Sequence, residues 1–337
     1  MKQNIQKFFQ KNQAGLFSID EIKSNLNLEK DYSSVFRVVK KLVEENFIEK
    51  VGKGRTTRYK LKVHDIEQYF ELPFFEKDKK KYNRNFLAEY EPNQSAFLEK
   101  DDLTVLNKCN EKTLLNTDFI INNKRLYETL LIDLAYSSSF LEGNTYSYLD
   151  TEVLIKYGEV AEGKTKEENV MILNHKKALE YLLKHKNAIA FSAHEIKNIH
   201  SLLGKDLLQD QYLGIVRSTS VRIGGSSYTP LEDRFLLEDE FNIFLEKLNA
   251  IKNPFEQCFF VLVFLPYFQL FQDINKRTSR VFANVSLLKN NLIPFSFLTV
   301  NKKDYVLGIL SIYELNNIKK LKEVFLTSYQ NAYDRYF

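Results

Sequence analysis

From about residue 111 to residue 337, apolar residues recur at helical spacing almost without interruption, broken only by short segments containing Gly or Asn. A chain patterned in this way buries its apolar stripes helix against helix, so this part is expected to be mainly α, a helical bundle. No internal repeat is found. One stretch departs from the pattern. Between Val216 and Tyr228, Val221-Arg222-Ile223 precedes Gly224-Gly225, which predicts a short β-hairpin standing on the helical body. At 337 residues the chain has room for a second domain.

That second domain is expected at the amino terminus, over residues 1–62. This segment holds 14 Lys and Arg against 7 Asp and Glu, a surplus of seven, while the whole chain carries only +4. A basic head on a slightly acidic body suggests that the head alone meets a polyanion. No apolar run is long enough to span a bilayer, and Cys258 to Phe271, the most apolar stretch, contains Pro266. The first residues lack the apolar core of a secretory signal, and Cys109 and Cys258 lie far apart without metal-ligand spacing. The expectation is a cytoplasmic protein with free thiols and no membrane partner.

Within residues 1–62, Ile5, Phe8 and Phe9 mark a first helix. Ser18 followed by Glu21 predicts a capped second one. Val35, Val38, Val39, Leu42 and Val43 predict a third, over Asp31 to Asn46. Ile48–Val51 and Arg55–Leu61 around Gly52-Lys53-Gly54 predict a hairpin. Three helices and a basic hairpin is the winged-helix order, and EKVGKGRTTRYKL resembles the wing of bacterial transcription regulators. Arg37, Lys40 and Lys41 fall on the outer side of the third helix, where a recognition helix would face the major groove of DNA. Lys53, Arg55 and Arg58 fall on the wing, within reach of phosphates. The same charges would also suit a solvated face or a protein contact. Residues 63–110 read as a connector.

The segment most informative about chemistry is Leu265 to Ile293. An apolar helix breaks at Asp273-Ile274-Asn275-Lys276 and resumes as a helix carrying Arg277 and Arg280. A loop entering a helix N-terminus points unpaired backbone N–H groups at whatever lies above it, which suits a phosphate. Arg277 and Arg280 are one turn apart and can converge on one anion, and Asp273 supplies a carboxylate of the kind a Mg²⁺ bridging phosphates requires.

These residues resemble the Fic signature, His-x-Phe-x-(Asp/Glu)-Gly-Asn-Gly-Arg-x-x-Arg. Phe271, Asp273, Asn275, Arg277 and Arg280 match, whereas Gln269, Ile274 and Lys276 depart. Ser138-Ser-Phe-Leu-Glu142-Gly143-Asn144 resembles the inhibitory-helix motif of the class that places this helix first. The Gly214-to-Pro230 segment, with Ile223, Gly224, Gly225 and Tyr228, resembles the flap. His175 and His200 look like scaffold residues. The resemblance spans about residues 85–337 and implies a Fic domain over 111–337. It further implies ATP and Mg²⁺ as ligands, Asn275, Lys276, Arg277 and Arg280 on the nucleotide, Asp273 on the metal, and Glu142 occupying Arg280 as an inhibitory clamp steadied by Ser138.

The departures bear on mechanism. In the family the motif histidine deprotonates a target hydroxyl as it attacks the α-phosphorus of ATP, transferring AMP, and general-base help of this kind is worth about 10² to 10⁴ in rate. Gln269 can orient a hydroxyl but has no basic nitrogen. Ile274, being β-branched, resists a positive φ and should alter the anion hole. Lys276 offers a point charge instead of a bare backbone. Two classes follow. The first is a nucleotidyl transferase of weak or altered activity, restrained by Glu142 and acting on a protein target. The second is a nucleotide-responsive DNA-binding regulator without catalysis, acting as a homodimer on two half-sites. A purely structural interaction protein is a third.

Overall fold

A computed structural model describes residues 1–12, 15–28, 31–45, 47–61, 66–73, 77, 79–111 and 116–336. The chain divides into two compact units. The first comprises Met1–Lys80, Ile223–Thr229 and Tyr313–Leu315, and the second Lys81–Arg222, Pro230–Ile312 and Asn316–Phe337.

In the first unit, helices α1 (Lys2–Lys11), α2 (Ile19–Asn25) and α3 (Tyr32–Glu44) are followed by an antiparallel pair, β1 (Ile48–Val51) and β2 (Arg58–Leu61), and by α4 (Ile66–Glu71). Helix α2 starts where the sequence places it. Ser18 Oγ accepts from the Glu21 N–H at 3.2 Å and Glu21 returns a bond to the Ser18 N–H at 2.7 Å. Asp31 does not join α3 but caps it, accepting from the Ser34 N–H. Ile5, Phe9, Ile22, Val35, Val39 and Leu42 are fully buried and meet Ile48 and Tyr59 of the hairpin.

Strand β2 begins three residues later than the pattern suggests, because Gly54–Thr56 form a short 3₁₀ turn. Gly52 permits that turn. Its φ is +82°, and a Cβ there would lie 2.7 Å from the Thr56 carbonyl oxygen. The flap segment forms the short strand Tyr228–Thr229 in this unit, and beside it the Lys80 N–H donates to the Ser227 carbonyl at 3.0 Å. Glu314 is buried and accepts from Ser226 Oγ at 2.7 Å, Ser227 Oγ at 3.0 Å and Tyr69 Oη at 2.9 Å. The turn is at Gly224-Gly225, and Val216–Ile223 lies outside any strand.

The second unit is helical: α5 (Arg84–Ala88), α6 (Lys100–Glu111), α7 (Thr117–Asn122), α8 (Lys124–Leu141), α9 (Tyr148–Tyr157), α10 (Lys166–His185), α11 (Ala193–Gly204), α12 (Arg234–Ala250), α13 (Pro254–Phe268), α14 (Asn275–Phe282), α15 (Asn284–Lys289), α16 (Lys302–Leu315) and α17 (Lys319–Tyr336). The last turn of α16 belongs to the first unit. Helix α13 is apolar on nearly every side and is buried accordingly, every residue from Phe255 to Phe268 included. Its Phe260 ring stacks on Phe244 of α12 at 5.3 Å, within a cluster that also contains Phe264 and Phe268. Asn253 caps α13 ahead of Pro254 at its first position. Fully buried Asp133 of α8 takes two bonds from Arg335 of α17, at 2.6 and 2.9 Å, and one from Tyr148 of α9 at 2.7 Å. No helix among the described residues is long and apolar enough to cross a membrane.

Candidate functional site

The site forms around the break between α13 and α14. Helix α13 ends at Gln269 with φ +49°, and α14 is preceded by Ile274 with φ +63°. Two reversals of backbone hand within six residues fold the loop over the start of α14. Asn275 fastens it. Its Oδ1 accepts from the Phe271 N–H at 2.8 Å, and its Nδ2 donates to the Phe271 carbonyl at 2.8 Å and to Gln269 Oε1 at 3.3 Å. The Gln269 amide closes the ring by donating to the Pro266 carbonyl at 2.8 Å. Arg217, almost fully buried, donates to the Gln269 carbonyl through Nε and to the Thr219 carbonyl through Nη1.

Ile274 adopts the left-handed conformation that its branching disfavours, correcting the expectation that it would resist one. The physical reason is tertiary. Its side chain is 1 % exposed and packs beside Gly204 of α11, where an added Cβ would lie 3.3 Å from Ile274 Cδ1 and 2.8 Å from Leu213 Cδ2. His200 supports the loop from the same helix. Its ring stacks on Phe271 with centroids 3.8 Å apart. Nδ1 accepts from the Gly214 N–H at 2.9 Å, so Nε2 carries the proton and donates to the Asp273 carbonyl at 3.2 Å. Burial, with the Arg277 charge adding to it, pushes the His200 pKa down to about 4.

Helix α14 has no side-chain cap. The N–H groups of its first turn are therefore available to an anion, with the positive end of the helix dipole behind them. Around this turn the structure gathers the cations and acids singled out in the sequence. Glu142, at the C-terminal end of α8, places Oε1 2.8 Å from Arg280 Nη2 and Oε2 3.1 Å from Lys276 Nζ. The Arg280 contact is an ion pair without hydrogen-bond alignment, since Oε1 has no aligned donor.

A carboxylate at a helix C-terminus is unfavourable in itself. Burial would raise the Glu142 carboxyl further, but Arg280, Lys276 and Arg277 outweigh it and hold its pKa at about 2. Arg280 is almost fully buried, and three of its five N–H donors are used within the protein: Nε to Ser138 Oγ at 3.0 Å, one of Nη2 to the Ser138 carbonyl at 3.0 Å and one of Nη1 to Tyr305 Oη at 2.9 Å. Ser138 thus holds Arg280 directly, beyond any effect on its own helix.

Arg277 is 7 % exposed, and its Nε has no hydrogen-bond partner; Asp273 Oδ2 stands 3.6 Å from Nη2. A buried guanidinium N–H with nothing to bond is costly, which is the condition a bound anion relieves. His175, fully buried, donates from Nδ1 to the Met171 carbonyl at 2.8 Å. Its Nε2 has no partner, and burial, reinforced by the Arg277 and Arg280 charges, holds its pKa near 3. Asp273 is exposed and its Oδ1 accepts from the Ile274 N–H. Among the described residues no three His, Cys, Asp or Glu side chains converge. A single exposed carboxylate fits Mg²⁺ carried in on substrate phosphates and does not make a cage of its own.

Ile223, Gly224, Gly225 and Tyr228 lie in the first unit, as do Arg37, Lys40, Lys41, Lys53 and Arg58, all five of the latter exposed. Arg58 is paired with Glu21 at 2.6 Å and Lys40 with Glu44 at 3.8 Å. The Arg55 side chain lies outside the described residues. Sequence reasoning did not assign Tyr305 or Arg217 to the site. Tyr305 had no local signal, whereas Arg217 stood in the conspicuous Gly214-Ile-Val-Arg217 run.

Residues 190–287 match the family model of the Fic/DOC family. The fold is similar to a Fic family protein from Desulfovibrio desulfuricans G20, with a TM-score of 0.60 and 15 % identity over 73 % of this chain and 76 % of that one. It is similar also to a Fic domain containing signaling protein from Bacteroides thetaiotaomicron, with a TM-score of 0.55 and 17 % identity over 70 % of this chain and 93 % of that one. Fic-1 (residues 134–508) from C. elegans gives a TM-score of 0.54 and 18 % identity over 75 % and 70 % of the two chains. At these identities the likeness is one of fold. Comparison with curated proteins found no match. Glu142 and the first 62 residues lie outside the segment matched by the family model.

Proposed function

We propose that this chain, which carries a Fic/DOC-family segment over residues 190–287, binds ATP with Mg²⁺ at the start of α14 and rests with Glu142 in place of nucleotide phosphate. One observation carries the reading. A carboxylate borne by α8 occupies a pocket of three cations, Lys276, Arg277 and Arg280, and one of these, Arg277, has a buried donor without a partner. Phosphate oxygens satisfy the same donors that Glu142 engages, so ligand and carboxylate compete. Bound Mg²⁺ would neutralise phosphate charge beside Asp273.

Transfer of AMP is weak or altered. The Gln269 amide cannot accept a proton at neutral pH and is committed to the Pro266 carbonyl and to Asn275. Without its base, the pocket is suited to responding to nucleotide. That favours, as a second reading, a regulator whose first 62 residues form a winged helix on duplex DNA. The observation supporting it is that Arg37, Lys40 and Lys41 share the exposed side of α3.

Labelled ATP separates the two readings. Steady release of pyrophosphate with a modified hydroxyl supports the transferase, and duplex binding that responds to ATP without turnover supports the regulator. Neither effect would refute both. The DNA reading has its own check in the salt slope, which should fall by about one for each phosphate contact removed. Arg58→Ala is the less clean variant, since Arg58 also holds Glu21.

A further inference from the structure

Helix α3 exposes two aromatic rings that its own fold does not use. Tyr32 and Phe36 are 51 % and 41 % exposed, stand one helical turn apart and stack with centroids 6.3 Å apart and ring planes 11° from parallel. They lie along one flank of the buried Val35, Val39 and Leu42 stripe, on the side of the hairpin, with Lys40 one turn beyond Phe36 and Arg37 and Lys41 farther round the helix. Beside the rings the surface hollows into a groove walled by Lys50, Gly54, Thr57 and Tyr59 of the hairpin and by Asp20 of α2.

We infer that Tyr32 and Phe36 are the base-reading residues of this module and lie against thymine methyl groups in the major groove of duplex DNA. This inference rests on the reading that the first 62 residues bind DNA. The cations supply charge complementarity to a polyanion, and some have partners of their own. Lys40, for example, is bound loosely to Glu44. Phosphates therefore belong to Arg37, Lys40, Lys41 and Lys53 on the rim. The groove has the rings of Tyr32, Phe36 and Tyr59 on its walls and carries one cation, Lys50, and one acid, Asp20, so it has no net charge to draw a phosphate in and can take a base edge. In a major groove the apolar group available to an exposed ring is the thymine C5 methyl. Two rings that already stack on each other on one helix lose little further side-chain freedom on binding.

The test uses the full chain. Duplexes selected from a random library at fixed salt are compared with the same duplexes carrying uracil in place of thymine. Wild type should prefer thymine by about fourfold for each contacted methyl, the factor equivalent to burying one methyl-sized group. Tyr32→Ala/Phe36→Ala should bind both duplexes and scrambled sequence alike, with an unchanged salt slope, which also shows that the variant is folded. Equal wild-type affinity for thymine and uracil duplexes, or retained sequence preference in the variant, overturns the inference while leaving DNA binding intact. Conversion of a dimer to a monomer by the variant, with base preference unchanged, makes the face a contact between copies and likewise overturns it. Failure of wild type to bind any duplex at low salt removes the underlying DNA reading as well.

Discussion

Lys276 Nζ lies 3.1 Å from Oε2 of Glu142, on the carboxylate whose other oxygen faces Arg280. One of the three residues that depart from the Fic signature is thus in contact with the residue proposed to inhibit. Lys276 is 40 % exposed at its side chain, so its share is screened, whereas Arg280 is almost fully buried and depends on its partners. Glu142→Gln, which keeps shape and removes charge, should lower stability by roughly 2–3 kcal/mol, below the usual cost of breaking a fully buried pair. Pyrophosphate should restore the loss by supplying an anion to the same cations. Thermal melts with and without pyrophosphate check this, and an unchanged midpoint in the variant would mean that the cations are neutralised otherwise.

Catalysis should be recovered in steps. Gln269→His supplies a base worth at most about 10² to 10⁴ in rate. The gain should be smaller, because the new ring must give up the bonds by which Gln269 holds Pro266 and Asn275, and a misplaced α-phosphorus cannot use a restored base. Adding Ile274→Gly, Lys276→Gly and Glu142→Gly should exceed any single change. Auto-modification with radiolabelled ATP, read by mass spectrometry, measures it. Robust AMP transfer by the unaltered chain would place the base elsewhere.

Ile274 gives a test of the loop alone. Its left-handed backbone costs about 1–3 kcal/mol, and its burial returns about as much. Ile274→Gly loses the packing but relieves the strain, so stability should change little. Ile274→Ala loses the packing and keeps the strain, and should be the worse of the two by about 1 kcal/mol. Denaturant unfolding of both variants decides it. Equal midpoints would show that the loop relaxes out of the left-handed region.

These residues also mark how much of the molecule could be read beforehand. The Ser18–Glu21 cap, the apolar stripe of α3 and the break between α13 and α14 are local signals and lie in the sequence itself. The polar cluster of the motif was legible for the same reason, since Arg277 and Arg280 are spaced by a single turn. Ile274 was misjudged because local propensity argues against its conformation, while packing against α11 imposes it. Lys276 was read as a phosphate ligand, and its contact with Glu142 was not foreseen. Tyr305 reaches Arg280 from a helix with no motif, so only the packed structure reveals it.

Acid should destabilise the second unit well above the range of ordinary carboxylates. His175 and His200 have folded pKa values lowered by burial to about 3 and about 4 from 6.5. Between those values and 6.5 the unfolded chain binds more protons, so their contribution is complete above 6.5 and is lost as pH falls. Each imidazole adds a slope of about 1.4 kcal/mol per pH unit in that window. Glu142 acts lower, between 4.5 and about 2. Urea midpoints from pH 7 to pH 4.5 should fall steeply, and His200→Gln, which can still accept from Gly214 and donate to Asp273, should flatten the decline. Identical profiles for the two proteins would contradict the assignment of neutral buried imidazoles.

Calorimetric titration of ATP with Mg²⁺ into the full chain and into Glu142→Gly addresses the central claim most directly. Releasing Arg280 and Lys276 from the carboxylate leaves two cations able to make charge-assisted bonds to phosphate worth about 1.5–3 kcal/mol, so the variant should bind roughly 10- to 100-fold more tightly. Lys276→Gly added to that variant should remove part of the gain, since the freed ammonium would then be missing from the phosphates. Equal dissociation constants for wild type and Glu142→Gly, or no heat of binding in either, would contradict the account of Glu142 as the occupant of a nucleotide phosphate site.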